Sequence, residues 1–408
     1  MLKLLGTVKN YHWGKKGPDS LVYQLAVLNS LPDQKLDEKC AYAELWMGNH
    51  VVDPSLVKDT RQTLGEYLSS QPKEVIGDTK DLQFLLKVLS IETALSIQVH
   101  PNKKEAEELH NFFPEVYKDD NHKPEMAIAL SPFLALCGFR PIEEIFGFVK
   151  RFSSLSDLLG HENIYKLEGD IGKTGQSEGL KACFETLMES SAADINKCLE
   201  EAKKQLEASL NSDDVLLKTF HTLLRDFPGD VGVLCVFFFH IVELKPGEAM
   251  FISANEPHAY ISGDCIECMA CSDNTIRAGL TPKPKDIPTL IRMLNYQPQS
   301  LDSKIFPPKK LNGNEYVDYF APPVPDFAVI RYRIPAGVSS HTVKLKNQAS
   351  VLLILSGVAK LQLPGDVGVP VTRGSVVFVP GNSGGTLTIV MEDKNVPFEA
   401  YQAIYNVF

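Results

Sequence analysis

Apolar positions along this chain fall into three textures. Up to about residue 140 they form short runs between glycine, proline and polar turns, the pattern of strands and loops. Two runs stand out. Leu82 to Val99 reads as two buried strands parted around Ser90-Ile91-Glu92. Met126 to Phe139 is broken once at Pro132 and stops at Gly138-Phe139-Arg140-Pro141. From Ile142 to about Leu224 the period changes. Leu180, Cys183, Phe184 and Leu187 recur at helical spacing, as do Leu199, Ala202 and Leu206, with Lys and Glu on the other face and no internal proline. The breaker Phe227-Pro228-Gly229-Asp230 closes this helical stretch. Beyond it Val231–Leu244, Ala249–Ala254 and Ala259–Cys271 read as β-rich runs. Pro282, Pro284 and Pro288 mark a connector with a short helix at Thr289–Leu294. Two further proline-rich segments, Phe306-Pro307-Pro308 and Pro322–Pro325, lead into a last β-rich block, Phe327–Phe408.

That block echoes an earlier one. Gly247-Glu248-Ala249-Met250-Phe251-Ile252-Ser253-Ala254-Asn255 and Gly374-Ser375-Val376-Val377-Phe378-Val379-Pro380-Gly381-Asn382 share Gly, Phe and Asn at a constant offset, which places His258 opposite Gly385. Two related β modules follow, with the histidine in the first alone. A chain of 408 residues has room for two or three domains, and 44% hydrophobic with 23% charged residues is ordinary globular composition. The net charge of −10 speaks against a nucleic-acid surface. The longest apolar stretch, around Val231–Val242, is interrupted by His240 and too short to span a bilayer. The run at Met1–Gly6 is too short for a signal peptide. Eight dispersed cysteines suggest reduced thiols and a cytoplasmic location.

Candidate chemistry concentrates at Ser96-Ile97-Gln98-Val99-His100-Pro101. Alternation puts Gln98 and His100 on one strand face. A lone histidine is usually satisfied by a backbone carbonyl, but here His122-Lys123-Pro124-Glu125 offers a carboxylate just before an apolar run, and Asn255-Glu256-Pro257-His258 offers a second imidazole. Gln98, His100, Glu125 and His258 are therefore expected to form one mixed nitrogen/oxygen metal site, a donor set that does not by itself select the metal. Cys265, Cys268 and Cys271 lack a fourth thiolate and fall on alternate strand faces, so no cluster is expected there. Glu267, Asp273, Arg277 and Lys283 cluster after His258, either as a surface ion network or as the rim of an active site.

The stretches Ser96–His100, His122–Met126, Asn255–Tyr260 and Asp264–Lys283, with Tyr11–Lys15 and Ala43–Gly48, resemble the type I mannose-6-phosphate isomerases, closest to the eukaryotic, animal-like members, over nearly the whole chain. The resemblance implies a mainly β fold of two cupin-type (jelly-roll) barrels with an α-helical insertion. The expected division is residues 1–141 and 230–306 for the catalytic barrel, 142–229 for the helical insertion, and 307–408 for a C-terminal barrel without metal. It implies one zinc ion per chain at Gln98, His100, Glu125 and His258. Arg277 matches the family's catalytic arginine, and Trp13, Glu44, Lys87, Lys123, Tyr260, Glu267, Asp273 and Lys283 match cleft residues. The implied reaction interconverts mannose 6-phosphate and fructose 6-phosphate through a cis-enediol(ate), feeding GDP-mannose synthesis and glycosylation. Glu267 is the expected proton carrier. Asp273 or the His122/Lys123 pair would help ring opening, and Lys283 and Ser96 would bind the phosphate. A small-molecule sugar phosphate is the one partner expected of a monomeric enzyme. The rivals are an iron-dependent cupin oxygenase and a non-catalytic sugar-binding protein.

Overall fold

The computed structural model describes residues 1–29, 36–77 and 81–408. Its β portion is antiparallel throughout and arranged in layers. A 10-stranded sheet system carries the strands between residues 7 and 279 apart from Leu56–Val57, an 8-stranded sheet forms the middle layer, and a 4-stranded sheet covers its far side. Alternation along the strands dictates the stacking. Leu45, Leu86, Val88, Met126, Ile128, Ile266 and Cys268 face the middle sheet, where they meet Val351, Leu353, Val376, Phe378, Tyr401 and Ala403 in one core. The other faces of those middle strands, through Leu352, Ile354, Val377, Val379 and Ala400, pack on the 4-stranded sheet. The strand pairings close no complete barrel among the described residues.

One strand organises the 10-stranded portion. His258–Ala270 is 13 residues long. Its first part pairs with Phe133–Phe139 and, at His258, with Gln98. From Gly263 onward it pairs with Phe84–Ile91 and Glu125–Ala129 instead. A register shift between Tyr260 and Ser262 and a positive φ of 111° at Gly263 make the corner between the two groups.

Six helices lie between Ile142 and Asp226. Their apolar faces pack on the outer side of the strands around Ile97, Val99, Leu136 and Ile276. Residues Val231–Phe237, expected to be strand, form a fully buried 3-10 helix capped by the Asp230 side chain, and only Phe239–Leu244 is β. An apolar run without a period fits either element. Here the rings of Phe148, Phe152 and Phe220 around Phe237 decide it. Helices also occur before residue 140, at Leu21–Asn29, Leu64–Ser69 and Lys103–Phe112; the last carries a capping box, Asn102 with Glu105. The echoing segments behave alike. Gly247 and Gly374 both take positive φ, and each precedes a four-residue strand, Ala249–Ile252 and Val376–Val379.

The first strand departs from chain order. Leu2–Leu5 pairs not with the catalytic sheet but with Val376–Phe378 of the middle sheet, and Leu56–Val57 extends it.

Candidate metal centre and cleft

His100 follows the short strand Ile97–Val99, Glu125 opens the strand Glu125–Ala129, and His258 opens the long strand. Their donor atoms all lie within 4.8 Å of one another. Glu125 Oε1 is 3.4 Å from His100 Nε2, and Oε2 is 3.5 Å from His258 Nε2. The other nitrogen of each ring is fixed by a carbonyl: His100 Nδ1 by Asn274 O at 2.7 Å, His258 Nδ1 by Glu256 O at 3.0 Å. A carbonyl only accepts, so each Nδ1 carries the proton and each Nε2 presents its lone pair. Both Nε2 atoms are buried and have no hydrogen-bond partner. Buried acceptors left bare are costly, and a metal ion satisfies both together. Burial, then Lys123, lowers the His100 pKa to about 4, which keeps the ring neutral at physiological pH. Burial would push Glu125 up, but Lys123 and His100 hold it well below the usual carboxylate range. Gln98 stands opposite both His258 and Arg277 in strand register and lines the same cleft. Two imidazoles, a carboxylate and an amide oxygen fit zinc, and fit iron or manganese as well.

The cleft has a volume of about 320 Å³. In its floor Lys87 Nζ lies 2.9 Å from Glu267 Oε2 and 3.7 Å from Glu44 Oε2, with the Trp46 ring 5.1 Å away. Register explains the group: Lys87 is cross-strand partner to both Glu267 and Trp46. Burial works against the Lys87 charge, but Glu267, Glu44 and Glu125 reverse the effect and raise its pKa. Glu267 is itself raised, mainly by burial and despite Lys87, with Glu125 adding to the shift. Tyr260 lies beneath the wall, its hydroxyl 3.5 Å from Glu125 Oε2, and burial keeps the phenol protonated.

The rim differs from the floor. Lys123 Nζ is 2.6 Å from Glu125 Oε1. Arg277 and Lys283 line the opening with no carboxylate in salt-bridge range among the described residues. Asp273, half-exposed, faces His50 Nε2 at 3.6 Å. Trp13 and Glu44 complete the wall.

Three residues expected in the cleft do not line it: Tyr260, which is buried, His122 and Ser96. His122 turns away and meets Asp326 at 2.9 Å. In an extended approach to the strand, Lys123 shares the side of Glu125 and His122 takes the opposite one. Ser96, half-buried before Ile97, is not among the residues lining the cleft. Conversely, Trp46 and His50 belong to the wall and were not anticipated. Trp46 lies two residues after Glu44 on the strand Glu44–Gly48, so alternation puts the two on one face. His50 lies beyond that strand, and no local pattern marks it.

Layered antiparallel sheets, a helical insertion and a His/Glu/His centre at the head of the longest strand define a metal-binding protein of the cupin class. The chain belongs to the type I phosphomannose isomerase family: the catalytic-domain model of that family matches residues 1–142, and its helical insertion domain matches residues 158–239. Mannose-6-phosphate isomerase of Bos taurus is 40% identical, and that of Homo sapiens 41%, with 96% of each chain covered. Mannose-6-phosphate isomerase 1 of Arabidopsis thaliana is 38% identical, covering 93% of this chain and 89% of the relative. A crystal structure of mannose 6-phosphate isomerase bound with zinc and yttrium is 27% identical, covers both chains fully and has a TM-score of 0.83. A mutant phosphomannose isomerase from Salmonella typhimurium gives 0.84 at the same identity and coverage.

Proposed function

We propose that this chain interconverts mannose 6-phosphate and fructose 6-phosphate, with one zinc ion held by Gln98, His100, Glu125 and His258. The observation that carries the proposal is the pair of bare imidazole nitrogens around Glu125, opening onto a cleft with a carboxylate–ammonium pair in its floor and two uncommitted cations at its rim. When bound, the metal supplies Lewis acidity toward the sugar oxygens.

The protein's own residues do the rest. The Glu267 carboxylate takes the proton from C2. The electron pair of the broken C–H bond becomes the C1–C2 double bond as the C1 carbonyl π pair moves onto O1, giving a cis-enediol(ate). The hydroxyl proton passes from O2 to O1, the O2 electron pair re-forms a carbonyl at C2, and the C1–C2 π pair takes the proton back from the same carboxylate at C1. Lys87 holds Glu267 in place and places positive charge beside the oxygens on which negative charge develops, and Arg277 does so from the rim. Asp273 and Lys123, on the cleft wall, serve ring opening; His122, engaged with Asp326, does not reach it. Lys283 holds the phosphate. We place the enzyme in the cytoplasm as a monomer that supplies mannose 6-phosphate for GDP-mannose synthesis and glycosylation.

Purified protein will convert mannose 6-phosphate to fructose 6-phosphate, lose the conversion on chelation and regain it with zinc. Oxygen uptake with iron in its place would make it an oxygenase; metal and sugar binding without conversion would make it a binding protein.

A further inference from the structure

Behind His258 lies a buried ion pair that takes no part in the reaction as proposed. Lys304, 4% exposed, ends a 3-10 turn at Leu301–Lys304, in the connector between the last strand of the 10-stranded sheet and the C-terminal β portion. Its ammonium contacts Glu256 Oε1 and lies 2.8 Å from Gln299 Oε1. The other oxygen of Glu256 accepts from the Ser253 backbone N–H at 3.3 Å and from its hydroxyl at 3.1 Å. Glu256 thus ties together the tight turn between the strand Ala249–Ile252 and His258. Its own backbone carbonyl accepts from His258 Nδ1.

The surroundings are shaped around this pair. The strand Phe133–Phe139 slips register between Cys137 and Phe139, and Gly138 there has a φ of 66°. A Cβ on Gly138 would fall 2.5 Å from Lys304 Nζ and 2.8 Å from Glu256 Oε1. Gly138 N–H also donates to Pro257 O at 2.8 Å, in the same turn. Asn255, at a φ of 63°, ties the turn to the backbone beside the other ligand: its N–H donates to the His100 carbonyl at 2.8 Å. A bulge, a glycine in a left-handed conformation against the ion pair, and a buried cation from a distant segment therefore converge on one turn. A buried ion pair is a poor source of net stability, because desolvation offsets the attraction. It does fix geometry, since neither partner has another low-energy place to go.

We propose that Lys304 is a positioning residue for the metal centre: by anchoring Glu256 it sets the orientation and tautomer of His258, and so makes metal affinity depend on docking of the connector. The inference rests on the metal site of the proposed function, not on the reaction, and its test reads metal directly.

The experiment compares wild type with Lys304→Met, measuring zinc affinity by competition with a chromophoric chelator and the visible spectrum of the cobalt-loaded protein. Removing the anchor of a ligand-orienting group will weaken zinc binding about 10–100-fold. It will also change the cobalt bands, which a general loss of stability would not. Glu256→Gln/Lys304→Met removes both charges together, so it folds even where the single variant does not. It still lacks the anchor and will show the same loss. A folded variant, single or double, with wild-type zinc affinity and an unchanged cobalt spectrum overturns the proposal. If isomerase activity proves absent while these affinities shift, the positioning role stands and the reaction assignment falls.

Discussion

Glu267 is a carboxylate held where its charge is costly, next to a lysine that keeps it from being neutralised outright. Burial raises its pKa, Lys87 opposes the rise, and Glu125 adds to it. The net shift is upward, so the basic form is lost at a higher pH than for a free carboxylate with the ordinary value of 4.5. Two consequences are measurable. Glu267→Gln keeps the shape and the contact with Lys87 but cannot carry a proton, so kcat should fall about 10²–10⁴-fold with zinc content unchanged. The acid limb of the wild-type pH–kcat/KM profile should lie above pH 4.5 and be missing from the residual activity of the variant. Full activity in Glu267→Gln with metal bound would move the base elsewhere. At this scale the sequence was legible where alternation decides a side chain's direction, as for Gln98 and His100, whereas Lys123 and Glu267 were found through the resemblance of their stretches to family cleft residues. It was not legible for His122, whose partner Asp326 is more than 200 positions away. Nor was it for His50, which reaches Asp273 across the cleft through contacts that leave no local trace.

The strand His258–Ala270 shows how one element sets the distance between the metal site and the proposed base. His258 and Tyr260 belong to its first part, Glu267 to its second, and the corner at Gly263 fixes the angle between them. A side chain at Gly263 would meet Pro132 O at 2.5 Å and the Phe133 Cα at 2.9 Å, at a φ of 111° that other residues rarely adopt. Gly263→Ala should therefore destabilise the protein by about 1–3 kcal/mol in chemical denaturation, and lower kcat more than KM, because metal and base are displaced relative to each other. An unchanged midpoint with unchanged kcat would mean that the corner is not needed. The strand could be read from its apolar run, but its corner could not, because a glycine among small and apolar residues marks a bend, a bulge or a tight approach with equal ease. The stretch Val231–Phe237 was misread for a related reason. It is buried on all sides, so no period remains to separate helix from strand.

On the scale of the whole molecule, chain order and spatial layers part company at the first strand. Leu2–Leu5 is short and only half buried, and nothing in it foretells that it crosses to the sheet built by the last quarter of the chain. The crossing has a thermodynamic consequence. Leu4 is fully buried in the core that glues the catalytic sheet to the middle sheet. Leu86, Val88, Met126 and Ile266 of the 10-stranded sheet face that middle sheet in the same core, with Val22 and Leu25 of the helix Leu21–Asn29 beside them. The two layers should then unfold together. Leu4→Ala should cost about 2–5 kcal/mol, the usual range for a buried leucine, and the loss should be felt on both sides of the core. Fluorescence can separate the two sides, since the chain has two tryptophans, Trp13 and Trp46, and both sit in the catalytic portion. In urea, the fluorescence midpoint of Leu4→Ala should fall by the same amount as the midpoint from far-UV circular dichroism, which reports every sheet. If the dichroism midpoint fell while fluorescence stayed at its wild-type position, the catalytic sheet would be stable without its neighbour, and the shared core would join two independent folding units rather than one.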